Sequence, residues 1–190
     1  MAINPMEIKG NWDKGYILDF HVLSSTPIGE NIYGHMEFDT VRTELGELIY
    51  QLKYRGRYEN VDKILELIKP FLDNYKELQN VDIVIPVPAS KDRDFQPVTE
   101  IARAIAEYLG VSFTDNVLVK NTSTQSKDMD KLNKNLSGSI TAKLRATRIH
   151  NILIFDDLYS TGETINECVS VLKADPLLKK IYVLILTKTR

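Results

Sequence analysis

The chain has 190 residues, 43% of them hydrophobic and 26% charged, with a formal net charge of −2. That length supports one well-buried domain with a small appendage, and the slight acidity leaves no basic footprint for non-specific nucleic-acid binding. The single cysteine, Cys168, excludes an internal disulfide and a cysteine zinc cluster. Residues Met1 to Trp12 lack the long apolar core of a signal peptide, and no apolar run approaches membrane-spanning length. An intracellular, reducing compartment fits, so the cytoplasm is the expected location and no membrane partner is expected.

There is no internal repeat and no low-complexity block. Residues 1 to 14 are polar, contain Pro5 and Gly10, and read as partly loose. Tyr16 to Leu23 alternates as a strand that could join a hood, extend a sheet or make a dimer contact; Ser24 to Pro27 and Gly29 read as a turn or loop. A helix is predicted over Thr40 to Arg55, with Val41, Leu45, Leu48, Ile49 and Leu52 as its apolar stripe. Lys53 and Arg55 in its last turn and Gly56 beyond it are good helix-ending chemistry, with the basic pair open between a helix-end charge complement and a ligand site. A second helix is predicted from Asn60 toward Leu78, kinked or restarted at Pro70.

From Val81 the rhythm changes. Val81 to Val87 reads as a strand, Pro97 to Leu109 as a helix ended by Gly110, and Asn116 to Val119 as a strand. Asn121 to Asn135 is a polar loop. Ile149 to Phe155 is predicted as a strand, Gly162 to Lys173 as a helix and Ile181 to Leu186 as a strand. Strands alternating with helices indicate βαβ units and a parallel sheet. Continuous rather than alternating apolar strands fit a sheet covered on both faces. Such sheets bind ligands at the carboxyl ends of their strands.

One such end carries the most chemistry: Ile152-Leu153-Ile154-Phe155-Asp156-Asp157-Leu158-Tyr159-Ser160-Thr161-Gly162-Glu163-Thr164. The first-turn amides of a helix have no partner inside it and attract anions. Ser160, Thr161, Gly162, Glu163 and Thr164 would wrap those donors around a phosphate, with hydroxyls from Ser160, Thr161 and Thr164. Gly162 lets the backbone come close, and Glu163 is expected to turn to solvent. Asp156 and Asp157, acceptors when ionised, suit the neighbouring 2- and 3-hydroxyls of a ribose. The same acidic pair after an apolar strand also serves as a magnesium-binding pocket in other α/β proteins. Nothing resembles a Ser-His-Asp or Cys-His arrangement. His21, His35 and His150 are scattered, and Cys168 shares an apolar face with Ile165, Val169 and Leu172, as a buried small hydrophobe would.

The stretch Ile152 to Thr164 resembles the phosphoribosyl-pyrophosphate (PRPP) motif of type I phosphoribosyltransferases, with Tyr159 standing where a small aliphatic residue is usual. Over about residues 40 to 190 the chain is similar to the ComF-like (competence protein F) branch. Gly46 to Gly56, ending in Lys-Tyr-Arg-Gly, looks like a helix of that branch, and Asp82 to Pro88 like its first core strand. Phe95-Gln96 resembles a Gly-Phe-Asn-Gln segment without the Gly and Asn. Gln125 and Asn135 fall where the branch has matching polar residues. The paired-cysteine zinc module frequent at the N-terminus of that branch is absent here.

The resemblance implies a single α/β domain with a mainly parallel sheet flanked by helices, the type I phosphoribosyltransferase fold. Residues 1–60 would give the N-terminal strand, helix and hood, and residues 61–190 the core. It places Pro88, Ala89, Ser90, Lys91 and Arg93 at the pyrophosphate loop, where Lys91 or Arg93 could meet the diphosphate or simply be solvated charges. Thr122 to Asn135 would be a closing loop or a plain surface loop. Mg²⁺ would enter through PRPP, without a dedicated protein ligand. The implied activity is phosphoribosyl transfer from PRPP to a nitrogen acceptor in an enzyme that could be a homodimer. The alternative is a non-catalytic PRPP-binding regulator or an accessory protein of DNA uptake. Direct nucleic-acid binding is disfavoured by the acidic balance.

Overall fold

The apolar runs of the sequence become strands of one sheet because each can bury side chains on both faces. The computed structural model describes residues 3–89, 94–121 and 139–189. In chain order it contains β1 (Met6–Glu7), β2 (Lys14–Phe20), β3 (Val22–Glu30), β4 (Met36–Arg42), α1 (Glu44–Tyr54) and α2 (Asn60–Asn74). There follow β5 (Ile83–Pro86), α3 (Pro97–Leu109), β6 (Ser112–Phe113), β7 (Leu118–Lys120), β8 (Ile140–Ala142), β9 (His150–Tyr159), α4 (Glu163–Lys173) and β10 (Leu178–Lys188). The central sheet has six strands in the order β1-β2-β10-β9-β5-β6. Its pairs are parallel except β1 with β2.

Alternation along the strands divides the core into two layers. Leu153 and Phe155 of β9, Leu184 and Leu186 of β10 and Val84 of β5 face α1, α2 and α3. Ile152 and Ile154, Val183 and Ile185, and Ile85 face α4 and the β7–β8 ribbon. The expected architecture, a mainly parallel sheet flanked by helices, is the one observed. On the α4 side Cys168 is fully buried.

Several local expectations change. Within the segment before residue 15, read as partly loose, β1 pairs with β2, and Trp12 is buried with its indole N–H donating to the Ile8 carbonyl at 3.1 Å. Of Tyr16 to Leu23, the part up to Phe20 extends the sheet beside β10, one of the roles left open for it. Ser24 to Gly29 is not a turn but lies in β3, whose backbone bonds are taken up by β4; the register shifts between Pro27 and Gly29, where the missing proline N–H is tolerated. Val41 lies on β4 and is exposed, so it leaves the helix stripe. The helix starts four residues later than expected, at Glu44, because Thr43 caps it, accepting from the Gly46 N–H at 2.9 Å. Helix α2 runs through Pro70 without restarting and ends at Asn74, and Lys76–Asn80 is a separate 3₁₀ turn. Pro70 and the residue four before it, Glu66, are both exposed, so water can serve the carbonyl that loses its donor.

Candidate functional site

Strand β9 does not stop at Phe155. It continues to Tyr159, so Asp156 and Asp157 are its penultimate turns of pleat rather than the start of a loop. Alternation then sends the two carboxylates to opposite layers. Asp157 follows Leu153 and Phe155 toward α1, and Asp156 follows Ile152 and Ile154 toward α4. This explains the partner of Asp157. Lys53, in the last turn of α1, places its ammonium on Asp157 Oδ2, and Asp157 itself is only 3% exposed. Of the two readings open for Lys53, helix-end charge or ligand site, its ammonium goes to a carboxyl of the candidate site.

Helix α1 is held where this pairing needs it. Thr43 Oγ1 donates to the Phe20 carbonyl at the end of β2 at 2.6 Å while accepting from Gly46 N–H. Gly46 lies so close that a Cβ there would sit 2.1 Å from the His21 carbonyl oxygen. Behind Asp157, Thr187 Oγ1 donates to its carbonyl at 2.9 Å, and the hydroxyl is then free to accept from His21 Nδ1 at 3.1 Å. Burial first, then the nearby Arg42 and Lys53 charges, holds the His21 imidazole below its ordinary range.

Asp156 has the opposite environment. Its Oδ1 accepts from the Asp157 N–H at 2.8 Å. Burial, followed by the charge of Asp157, pushes its carboxyl well above the usual carboxylate range. Burial likewise raises the Cys168 thiol to about 12, with Asp156 as the next cause, so the thiol is an inert neighbour.

Two cavities meet at Asp156 and Thr164. The larger, about 370 Å³, is lined among others by Lys53, Pro88, Ala89, Lys120, Asp156, Asp157 and Thr164. The smaller, about 80 Å³, is lined by Asp156, Leu158 and Tyr159 to Ile165. Gly162 caps α4 with φ +81° and ψ 0°, a left-handed conformation, and no side chain caps the helix. A Cβ on Gly162 would also lie 2.4 Å from the Tyr159 hydroxyl, so the Tyr159 ring lies against the turn. Ser160, Thr161, Glu163 and Thr164 are exposed, Glu163 with its N–H 3.4 Å from Thr161 Oγ1. The end of β9 thus sets two carboxyls beside the first turn of α4, whose amides have no partner within the helix itself.

The pyrophosphate-loop residues Pro88 and Ala89 follow β5 onto the same cavity wall. Ser90, Lys91 and Arg93 lie outside the described residues, as do Gln125, Asn135 and the rest of 122–135. Lys120 is a cavity residue that the sequence does not single out, since it carries no signal beyond closing a short strand. Among the described residues no group of three or more His, Cys, Asp or Glu side chains could hold a metal ion. No described helix is long and apolar enough to cross a membrane.

No protein-family model and no curated protein matches the sequence. Solved structures do match. Adenine phosphoribosyltransferase from Trypanosoma brucei is 12% identical, with 99% of this chain and 87% of that chain covered and a TM-score of 0.51. Orotate phosphoribosyltransferase from Aeropyrum pernix is 14% identical, with 88% and 76% covered and a TM-score of 0.50. The fold is that of type I phosphoribosyltransferases. UMP synthase from Leishmania donovani also matches, at 17% identity and a TM-score of 0.41; the chain covers only 28% of that protein. In this phosphoribosyltransferase fold the strand order brings the ends of β9 and β5 side by side, and Val87 N–H bonds to the Phe155 carbonyl at 2.9 Å where the two walls of the cavity begin.

Proposed function

We propose that the chain binds PRPP as its magnesium salt and transfers the phosphoribosyl group to a nitrogen acceptor, releasing pyrophosphate. The observation that supports this is the junction of β9 and α4: a cavity with carboxyls adjoins a smaller one lined by the hydroxyl-bearing first turn of α4, and Asp156 and Thr164 line both. A ribose bearing a 5-phosphate has the same two-part chemistry, adjacent hydroxyl donors at one end and an anion at the other. The 5-phosphate would take the turn from Ser160 to Thr164. The ribose hydroxyls would meet Asp156 and Asp157. The diphosphate would extend along Pro88 and Ala89 toward Ser90, Lys91 and Arg93, with Lys120 across the cavity. The Trypanosoma brucei protein of this fold was solved with AMP, pyrophosphate and ribose-5-phosphate, ligands of the class proposed here.

Displacement at the ribose C1 passes through an oxocarbenium-like state and needs no nucleophilic side chain. Magnesium belongs to the substrate, where it offsets charge on the leaving diphosphate. The chain's share is positioning and fixed electrostatics. The Lys-Tyr-Arg-Gly end of α1 supports a place in the ComF-like branch. The test is incubation with PRPP, Mg²⁺ and a panel of bases and amines, reading pyrophosphate release. Acceptor-dependent release supports transfer. Tight PRPP binding without release points to the non-catalytic regulator, and absence of binding refutes the reading.

A further inference from the structure

The two adjacent carboxyls are not equivalent. Asp157 is nearly sealed, and Lys53 supplies its cation from α1. Asp156 has no ion-pair partner among the described residues, and of the pair it alone lines both cavities. We propose that Lys53 is a positioning residue of the ribose subsite: its ammonium engages Asp157 and leaves Asp156, which no cation touches among the described residues, as the carboxyl open to the ligand. This rests on the ribose-phosphate reading of the cavity.

The groups facing the pair support a division of labour. On β9 itself Asp156 and Asp157 repel each other when both are ionised. From α1 comes Lys53. From α4 come Cys168 and the Thr164 hydroxyl; Glu167 of the same helix is occupied by Ser139 Oγ at 2.6 Å and Ile140 N–H at 2.8 Å. From β7 comes Lys120 across the cavity, and from the β2–β3 turn His21 faces Asp157. The loop after β5 and the start of α3 contribute Pro88, Ala89 and Gln96, none of them charged. Lys53 is thus the cation in contact with the pair, and it touches one member of it. Two carboxyls whose surroundings differ this much take different roles: one held by a cation, the other left facing the cavities. The seating of α1 by Thr43 and Gly46 makes the asymmetry a built feature, because it fixes the helix that carries Lys53.

The experiment uses the full chain and ribose 5-phosphate as probe, with affinity measured by calorimetry from pH 5.5 to 9 for wild type, Lys53→Met and Lys53→Arg. Methionine keeps the apolar stem and removes the charge. Without the ammonium the carboxyl pair holds its proton more tightly, so the acid limb of the affinity profile moves to higher pH. Lys53→Met is expected to bind at least tenfold more weakly near pH 6, with the gap narrowing toward pH 9, while Lys53→Arg follows the wild-type limb. The ligand phosphate titrates identically in all three, so the difference belongs to the protein. A loss in Lys53→Met that is the same at every pH, or no loss, overturns the proposal. A ¹³C carboxyl titration of Asp156 without ligand separates the two levels of inference. If that titration moves in Lys53→Met while wild type binds no ribose 5-phosphate, the charge role of Lys53 stands and the ribose reading falls. If it does not move, the role of Lys53 falls whatever the ligand does.

Discussion

Replacing Gly46 by alanine tests how α1 is seated and, through it, where Lys53 reaches. On helix propensity alone the change stabilises, since glycine inside a helix is worse than alanine by about 1 kcal/mol. The structure reverses that sign. The new methyl would stand 2.1 Å from the His21 carbonyl oxygen, a backbone atom that cannot swing away. To reach an ordinary contact the helix start must retreat from β2, stretching the 2.6 Å bond from Thr43 Oγ1 to the Phe20 carbonyl. Overpacking of this kind costs roughly 1–3 kcal/mol, and impairing the cap adds about 1 kcal/mol. Set against the propensity gain, the net expectation is a destabilisation of about 1–3 kcal/mol. Lys53 lies about 10 Å further along the same helix at 1.5 Å per residue, so a tilt at Gly46 also moves its ammonium from Asp157. Urea unfolding at pH 7 measures the first effect and ribose 5-phosphate calorimetry the second. A Gly46→Ala protein as stable as wild type, or more so, would refute the reasoning.

Three further outcomes follow from the site. Burial, and then the Asp157 charge, pushes the Asp156 carboxyl well above its ordinary value of 3.8 in the folded chain. A raised carboxyl favours the fold most below its unfolded value and loses that contribution as pH rises through the folded one. Wild-type stability should therefore fall relative to Asp156→Asn between pH 4 and 8, read as the difference in urea midpoints; a constant difference across that window contradicts the environment assigned to Asp156. Gly162→Ala, strained by its positive φ and by the Tyr159 hydroxyl, should weaken ribose 5-phosphate binding at least tenfold while circular dichroism stays near wild type. Equal affinity would show that the turn does not hold the phosphate. Asp156→Asn combined with Asp157→Asn should abolish PRPP binding and leave a folded protein, and unchanged affinity by titration calorimetry would remove both carboxyls from the ribose role.

What the sequence determined by itself is what neighbouring residues can encode. The apolar runs at Ile152 to Phe155 and Ile181 to Leu186 require a sheet covered on both faces. Pro97 to Leu109 with Gly110 spells a complete helix, observed at those bounds with Gly110 at φ +68°. The order carboxyl-carboxyl, hydroxyls, glycine, helix start is local, so its chemistry could be read before any fold was known. Tertiary structure decided the rest, because it joins segments that share no local signal. Lys14 to Phe20 becomes a core strand only through pairing with Tyr182 to Lys188, more than a hundred and sixty residues away. Ser24 to Gly29 has a turn's composition, yet is strand because β4 supplies its bonds. Alternation within β9 could assign Asp156 and Asp157 to opposite faces, but only the packing of α1 on β2 brought a lysine to one of them and none to the other. Charge in a sequence is symmetric along the chain; its partners are set by which surfaces meet.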